Sequence, residues 1–108
     1  MTEASFTSEN ETPLKITIIA TGEIDLLTAP DLSKEIATAI EAGPKVIDLS
    51  LEQVRFMDST GIRVLISSAQ KFKESGGELA VSGATGAVRK VLELSGILDT
   101  VVTDSDAK

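Results

Sequence analysis

Val46-Ile47-Asp48-Leu49-Ser50-Leu51-Glu52-Gln53-Val54-Arg55-Phe56-Met57-Asp58-Ser59-Thr60-Gly61 is the stretch whose reading decides the architecture. Val46-Ile47-Asp48-Leu49 is a short apolar run led by β-branched residues, a strand signal. Glu52 to Met57 reads as a loop. Asp58-Ser59-Thr60-Gly61 then opens a helix on which Ile62, Leu65, Ile66, Ala69 and Phe72 recur at helical spacing, and Gly76-Gly77 end it.

Working outward, the same alternation of elements repeats on both sides. Upstream, Leu14, Ile16, Ile18 and Ala20 alternate along Leu14–Thr21, which reads as a strand left through Gly22-Glu23-Ile24-Asp25. A helix follows, with Thr28 placed to cap it, Asp31 three residues on and Pro30 in the first turn, where a missing N–H is harmless. Leu32, Ile36, Ala39 and Ile40 form its apolar stripe, and Gly43-Pro44 stop it. Residues 1–12 are polar and acidic and read as partly flexible, with Ser5–Glu9 a short edge strand and Asn10-Glu11-Thr12-Pro13 a turn.

Downstream, Leu79-Ala80-Val81 is a short strand. Ala87–Ser95 is a helix with Val88, Val91 and Leu92 inward and Gly96 as its stop, and Val101-Val102 is the last strand. Residues 103–108 form a short tail. The order β-α-β-α-β-α-β predicts a single small α/β domain over residues 1–108, because consecutive parallel strands need crossover helices. The expected sheet is mixed, mostly parallel and four- to five-stranded. No solenoid repeat or low-complexity tract interrupts it.

Composition removes whole classes of function. The 108 residues include 10 Lys and Arg against 17 Asp and Glu, a formal net charge of -7, so a nucleic-acid binder with clustered cations is not expected. Most of the excess sits at the ends: residues 1–12 carry Glu3, Glu9 and Glu11 and no base. Histidine and cysteine are absent, which removes disulfides, ordinary zinc sites and Ser-His-Asp or Cys-His catalysis. Phe6, Phe56 and Phe72 are the only aromatic residues, too few for base-stacking platforms. The first residues lack a basic region and an apolar segment, and no apolar run approaches the ~18 residues of a membrane span. The expectation is a cytoplasmic, non-enzymatic protein with no cofactor, no metal and no membrane contact.

Asp58-Ser59-Thr60-Gly61 is the most informative segment for function. It puts two hydroxyls at a helix N-terminus, where free N–H groups and the helix dipole favour negative charge. A phosphate on Ser59 would be accommodated there, but Asp, Ser and Thr are also ordinary helix caps. Arg63 lies four residues after Ser59 on the same helix face, placed to pair with such a phosphate or with a nearby acid. Glu23 and Asp25 make an acidic turn, with either a solubility or an interface role. Asp48 lacks a second ligand for a metal and reads as a hydrogen-bonded strand residue.

The ordered set Gly22-Glu23-Ile24-Asp25, Thr28-Ala29, Val46-Ile47-Asp48-Leu49-Ser50, Phe56-Met57-Asp58-Ser59-Thr60-Gly61, Gly76-Gly77 and Leu94-Ser95-Gly96-Ile97 resembles the STAS-domain family, and within it the bacterial anti-sigma-factor antagonists. The resemblance runs from about Leu14 to Val102. It implies a protein that binds an anti-sigma factor which is itself an ATP-dependent serine kinase, and so releases a sigma factor for transcription. It implies phosphorylation of Ser59, with Thr60 the lesser acceptor, as the event that ends binding, and a phosphatase that resets the switch. It also implies that Glu23, Asp25, Asp58, Thr60, Gly61 and Arg63 face the partner, although Arg63 departs from the small residue usual at its position. Many members carry a C-terminal helix after the last strand, for which residues 103–108 are too short, so a sheet face is expected to be exposed or covered by a partner, in a monomer or a weak homodimer.

Other readings compete. A STAS domain can serve as an adaptor in a transporter, lipid-transport or signalling assembly without turnover of Ser59. Ser82-Gly83-Ala84-Thr85-Gly86 looks like a dinucleotide-binding turn, but Arg89 stands where the third glycine belongs and too little chain follows. Ser68-Ala69-Gln70-Lys71 matches a Ser-x-x-Lys pattern in mid-helix with no companion motif. A receiver-type domain would need clustered acids and a lysine that are not evident.

Overall fold

A computed structural model describes residues 4–12, 14–97 and 102–103. It contains β1 (Ala4–Thr12), β2 (Lys15–Ile24), α1 (Ala29–Glu41), β3 (Val46–Met57), α2 (Ser59–Glu74), β4 (Glu78–Ser82), α3 (Gly86–Ser95) and β5 (Val102–Thr103). The five strands form one sheet in the order β1-β2-β3-β4-β5. β1 pairs antiparallel with β2, and the other three pairings are parallel, so the sheet is mixed and mostly parallel as expected.

Register explains the core. Ile16 lies beside Ile47 and Ile47 beside Leu79, while Ile18, Leu49 and Val81 form the next row. All six side chains are buried, because one face of each strand is sealed by the helices. α1 contributes Leu32, Ile36 and Ala39, α2 contributes Ile62, Leu65, Ala69 and Phe72, and α3 contributes Val88 and Leu92 to the same apolar cluster. Ile40, Ile66 and Val91, expected inside, are only partly buried and pack against its margin. The other face of the sheet alternates with it and carries Asp48, Ser50, Ala80 and Ser82.

Three sequence-based expectations need correction. The loop assigned to Glu52–Met57 is the second half of β3, which runs unbroken for 12 residues. Buried positions alternate through Ile47, Leu49 and Leu51, then jump by three to Val54 and Met57. Two irregularities in the β2–β3 pairing, between Ile19 and Thr21 and between Gly22 and Glu23, cause that break and erase the period-two signal. β1 likewise continues through Asn10 and Glu11 to Thr12, where a turn was expected; Pro13 lies outside the described residues. Leu14, expected on the core face, precedes β2 and is 58% exposed, its carbonyl accepting the N–H groups of Lys45 and Val46. Of the expected last strand, Val102 is in β5 and Val101 lies outside the described residues, as does the tail beyond Thr103.

The connection after α2 shows why a glycine pair is needed there. Gly76 has φ +92°, a left-handed conformation, and a Cβ on Gly77 would stand 2.2 Å from the Phe72 ring. The glycines let the chain fold back over Phe72 and enter β4.

Candidate functional site

The site is built where β2 and β3 end side by side. Glu23 pairs with Phe56 and Ile24 with Met57, so the acidic turn after β2 and the start of α2 leave the sheet together. The Asp58 N–H donates to the Ile24 carbonyl at 3.1 Å, which ties the two chain segments. Gly61 seals the joint from within: it is buried, and a Cβ there would meet Ile24 Cγ2 at 2.7 Å and Met57 Cγ at 2.8 Å. Gly61, expected to face a partner, therefore offers no outward surface of its own; its hydrogen side chain is what permits α2 to approach the sheet.

Asp58 is the N-cap of α2, with extended backbone (φ -108°, ψ -171°). Its Oδ1 accepts the Thr60 N–H at 2.9 Å and also accepts the Thr60 hydroxyl. The hydroxyl bond is the main cause that holds the Asp58 carboxyl below its ordinary pKa, helped by backbone N–H groups of Thr60 and Gly61 and opposed by partial burial. Thr60 is thus committed to its own helix start. Ser59, one position earlier, is exposed at the first residue of α2, and its hydroxyl has no hydrogen-bond partner among the described residues.

The facing turn is equally ordered. Asp25 Oδ1 accepts the N–H groups of Leu27 at 2.9 Å and Thr28 at 3.2 Å. Thr28 is buried, and its hydroxyl donates to the Glu23 carbonyl at 2.8 Å and accepts the Asp25 N–H at 2.9 Å. Thr28 stands at the N-cap position of α1, but its side chain does not cap that helix. Its backbone is already in the right-handed helical region (φ -102°, ψ -20°), whereas side-chain capping needs an extended residue. The hydroxyl closes the turn instead.

Arg63 is exposed and forms no ion pair among the described residues; the pair found there is Arg89–Glu93 on α3. The expected pairing of Arg63 with a nearby acid is absent among them. Arg63 lines a shallow groove between α1 and α2 with Thr60, Val64, Ser67, Leu26, Ala29, Pro30 and Ser33. Two of the remaining candidates lie elsewhere. Asp48 Oδ2 accepts the Ser82 hydroxyl at 3.3 Å across β3 and β4, and among the described residues no group of three or more acids could hold a metal ion. Ser82–Gly86 is a tight strand-to-helix connection in which Gly83 lies against the Glu52 backbone. No described helix is long and apolar enough to cross a membrane.

Sequence reasoning missed Leu26 and Leu27, which are 72% and 76% exposed, and Phe56, which is 45% exposed beside Glu23. The signal was present for the leucines. Two consecutive large apolar residues stand in a polar turn, outside the stripe of Leu32, Ile36 and Ala39.

Comparison with known proteins gives a concordant answer. The model of the STAS domain family matches residues 8–107. The anti-sigma-B factor antagonist of Bacillus subtilis (strain 168) is 28% identical over 93 residues, which span 86% of this chain and 83% of that protein. The crystal structure of an anti-sigma factor antagonist from Mycobacterium paratuberculosis superposes with a TM-score of 0.85 at 25% identity, covering 97% of this chain and 91% of the other. The Bacillus cell fate determinant SpoIIAA in its phosphorylated form shares the fold, with a TM-score of 0.72 at 24% identity and coverage of 95% and 96%.

Proposed function

Because the chain belongs to the STAS domain family, we propose that it is an anti-sigma-factor antagonist switched by phosphorylation of Ser59. In this reading it binds an anti-sigma factor that is also an ATP-dependent serine kinase, freeing a sigma factor, and it is a substrate and binding module in the cytoplasm rather than an enzyme. The observation that carries the reading is the contrast between two neighbouring hydroxyls. Ser59 is exposed and without a partner among the described residues, whereas Thr60 donates to Asp58. A phosphoryl acceptor must reach the γ-phosphate of a nucleotide held by another protein, and Ser59 is the residue free to do so. The names of the relatives support the antagonist role.

The switch follows from charge. Ser59 Oγ displaces ADP from the γ-phosphorus, and the product carries about -1.5 to -2 charges at neutral pH. The helix N-terminus accommodates this charge locally. A partner surface that fits Glu23, Asp25 and Asp58 around a neutral hydroxyl meets a dianion in its place, so the complex is opposed by repulsion and by the desolvation of phosphate. Arg63, one turn below Ser59, belongs to the partner-facing side of this surface. A separate phosphatase hydrolyses the phosphoserine and restores binding.

The test uses the anti-sigma-factor kinase of the same organism with ATP·Mg. Mass spectrometry is expected to find one phosphate on the wild-type chain and none on Ser59→Ala. Phosphate at another position, or binding by Ser59→Asp as tight as wild type, would exclude the switch.

A further inference from the structure

Leu26 and Leu27, in the turn between β2 and α1, take no part in the core. They are 72% and 76% exposed, while the buried stripe of α1 consists of Ala29, Leu32, Ile36 and Ala39. Two adjacent large apolar side chains in water forfeit the favourable transfer that burial would supply, and such patches mark interaction surfaces. The turn that presents them is fixed by the hydrogen bonds of Asp25 to Leu27 and Thr28 and of Thr28 to Glu23. Presenting the pair on an ordered turn lowers the entropy lost on docking.

Leu26 and Thr60, the residue that follows Ser59, line one groove. Leu26 walls a groove whose other sides are Ala29 and Pro30 on α1 and Thr60, Arg63 and Val64 on α2. The Asp58-to-Ile24 hydrogen bond joins the turn to the start of α2. Ser59 is exposed immediately before Thr60 of this groove, so a protein that reaches Ser59 approaches the wall formed by Leu26. Glu23 and Asp25 belong to the turn that presents the leucines and Asp58 caps α2 at Thr60, so these acids match a basic rim on the partner and disfavour an anionic lipid surface or a second copy of this acidic chain.

We propose that Leu26 and Leu27 are the apolar anchors by which this chain docks onto the serine kinase that modifies Ser59, in an apolar recess with a basic rim; the inference rests on the function proposed above. The experiment compares wild type, the double variant Leu26→Ser/Leu27→Ser and the control Leu94→Ser, whose leucine is 78% exposed on α3. Initial rates of Ser59 phosphorylation by the anti-sigma-factor kinase of the same organism are measured against substrate chain at saturating ATP·Mg, together with melting temperatures. The double variant is expected to raise KM about tenfold or more with kcat nearly unchanged, as loss of uniform binding does. The control is expected to keep the wild-type KM, and all three are expected to melt together. A wild-type KM in the double variant overturns the anchor assignment while leaving Ser59 as the acceptor. The same holds if the substitutions instead abolish only self-association in gel filtration or only binding to anionic vesicles. No phosphate on wild-type Ser59 overturns both the anchors and the function they rest on.

Discussion

Ser59 and Thr60 stand one position apart with their hydroxyls in opposite situations. Thr60 bonds Asp58 through both its hydroxyl and its N–H, and the Ser59 hydroxyl bonds nothing among the described residues. The sequence alone left the cap and the acceptor roles open for this segment, because Asp, Ser and Thr suit either. The structure divides the roles: Asp58 caps, Thr60 braces, Ser59 is exposed. Asp58→Ala is expected to lose about 1 kcal/mol of stability, the usual worth of a cap, measured by urea denaturation. The pH dependence has a definite sign. Thr60 holds the Asp58 carboxyl below its ordinary pKa, so the folded state favours the ionised form. That stabilisation is complete above the unfolded-state value of about 3.9 and is lost as pH falls through the lower folded value. Thr60→Val is expected to move the Asp58 titration upward in carboxyl NMR, toward the ordinary value, and to shrink this acid-side loss.

At the scale of elements, the helices were legible because their apolar stripes recur every three to four residues and their ends carry Gly43, Gly76 and Gly96. The second half of β3 was not. Its alternation is broken at the irregular pairing with β2, and Glu52, Gln53, Arg55 and Phe56 are exposed, so the segment reads as polar loop although it is hydrogen-bonded strand. That extension positions the candidate site, since it carries Met57 alongside Ile24 and brings the Asp58 N–H to the Ile24 carbonyl. Thr28 misled for a related reason: its spacing fits a cap, but its backbone angles turn the hydroxyl to Glu23. Gly61 is where elements meet most tightly. Gly61→Ala is expected to cost about 1–3 kcal/mol, the usual penalty for overpacking, because both Ile24 and Met57 are buried and must shift. A fall in the urea midpoint with unchanged m-value measures it.

For the whole molecule, alternation marked Ile16 and Ile18 for the core, whereas Ile47, Leu49, Leu79 and Val81 were legible only as members of short strands, and their alignment into rows required the structure. Leu49→Ala, at the centre of the sheet, is expected to cost about 2–5 kcal/mol in the same denaturation measurement. The net charge of -7 describes the chain as a whole, whereas the proposed switch concerns only Glu23, Asp25 and Asp58 and the exposed Ser59 hydroxyl. In the proposed switch the surface changes its partner preference without a change of fold. Phosphorylation is accordingly expected to move backbone NMR shifts around α2 and the β2–α1 turn and to leave those of β4 and α3 in place. The most direct measurement is calorimetric titration of the anti-sigma factor with the unmodified chain and with the chain phosphorylated on Ser59. The account predicts binding at least about tenfold weaker for the phosphorylated chain; equal affinity of the two forms would contradict it.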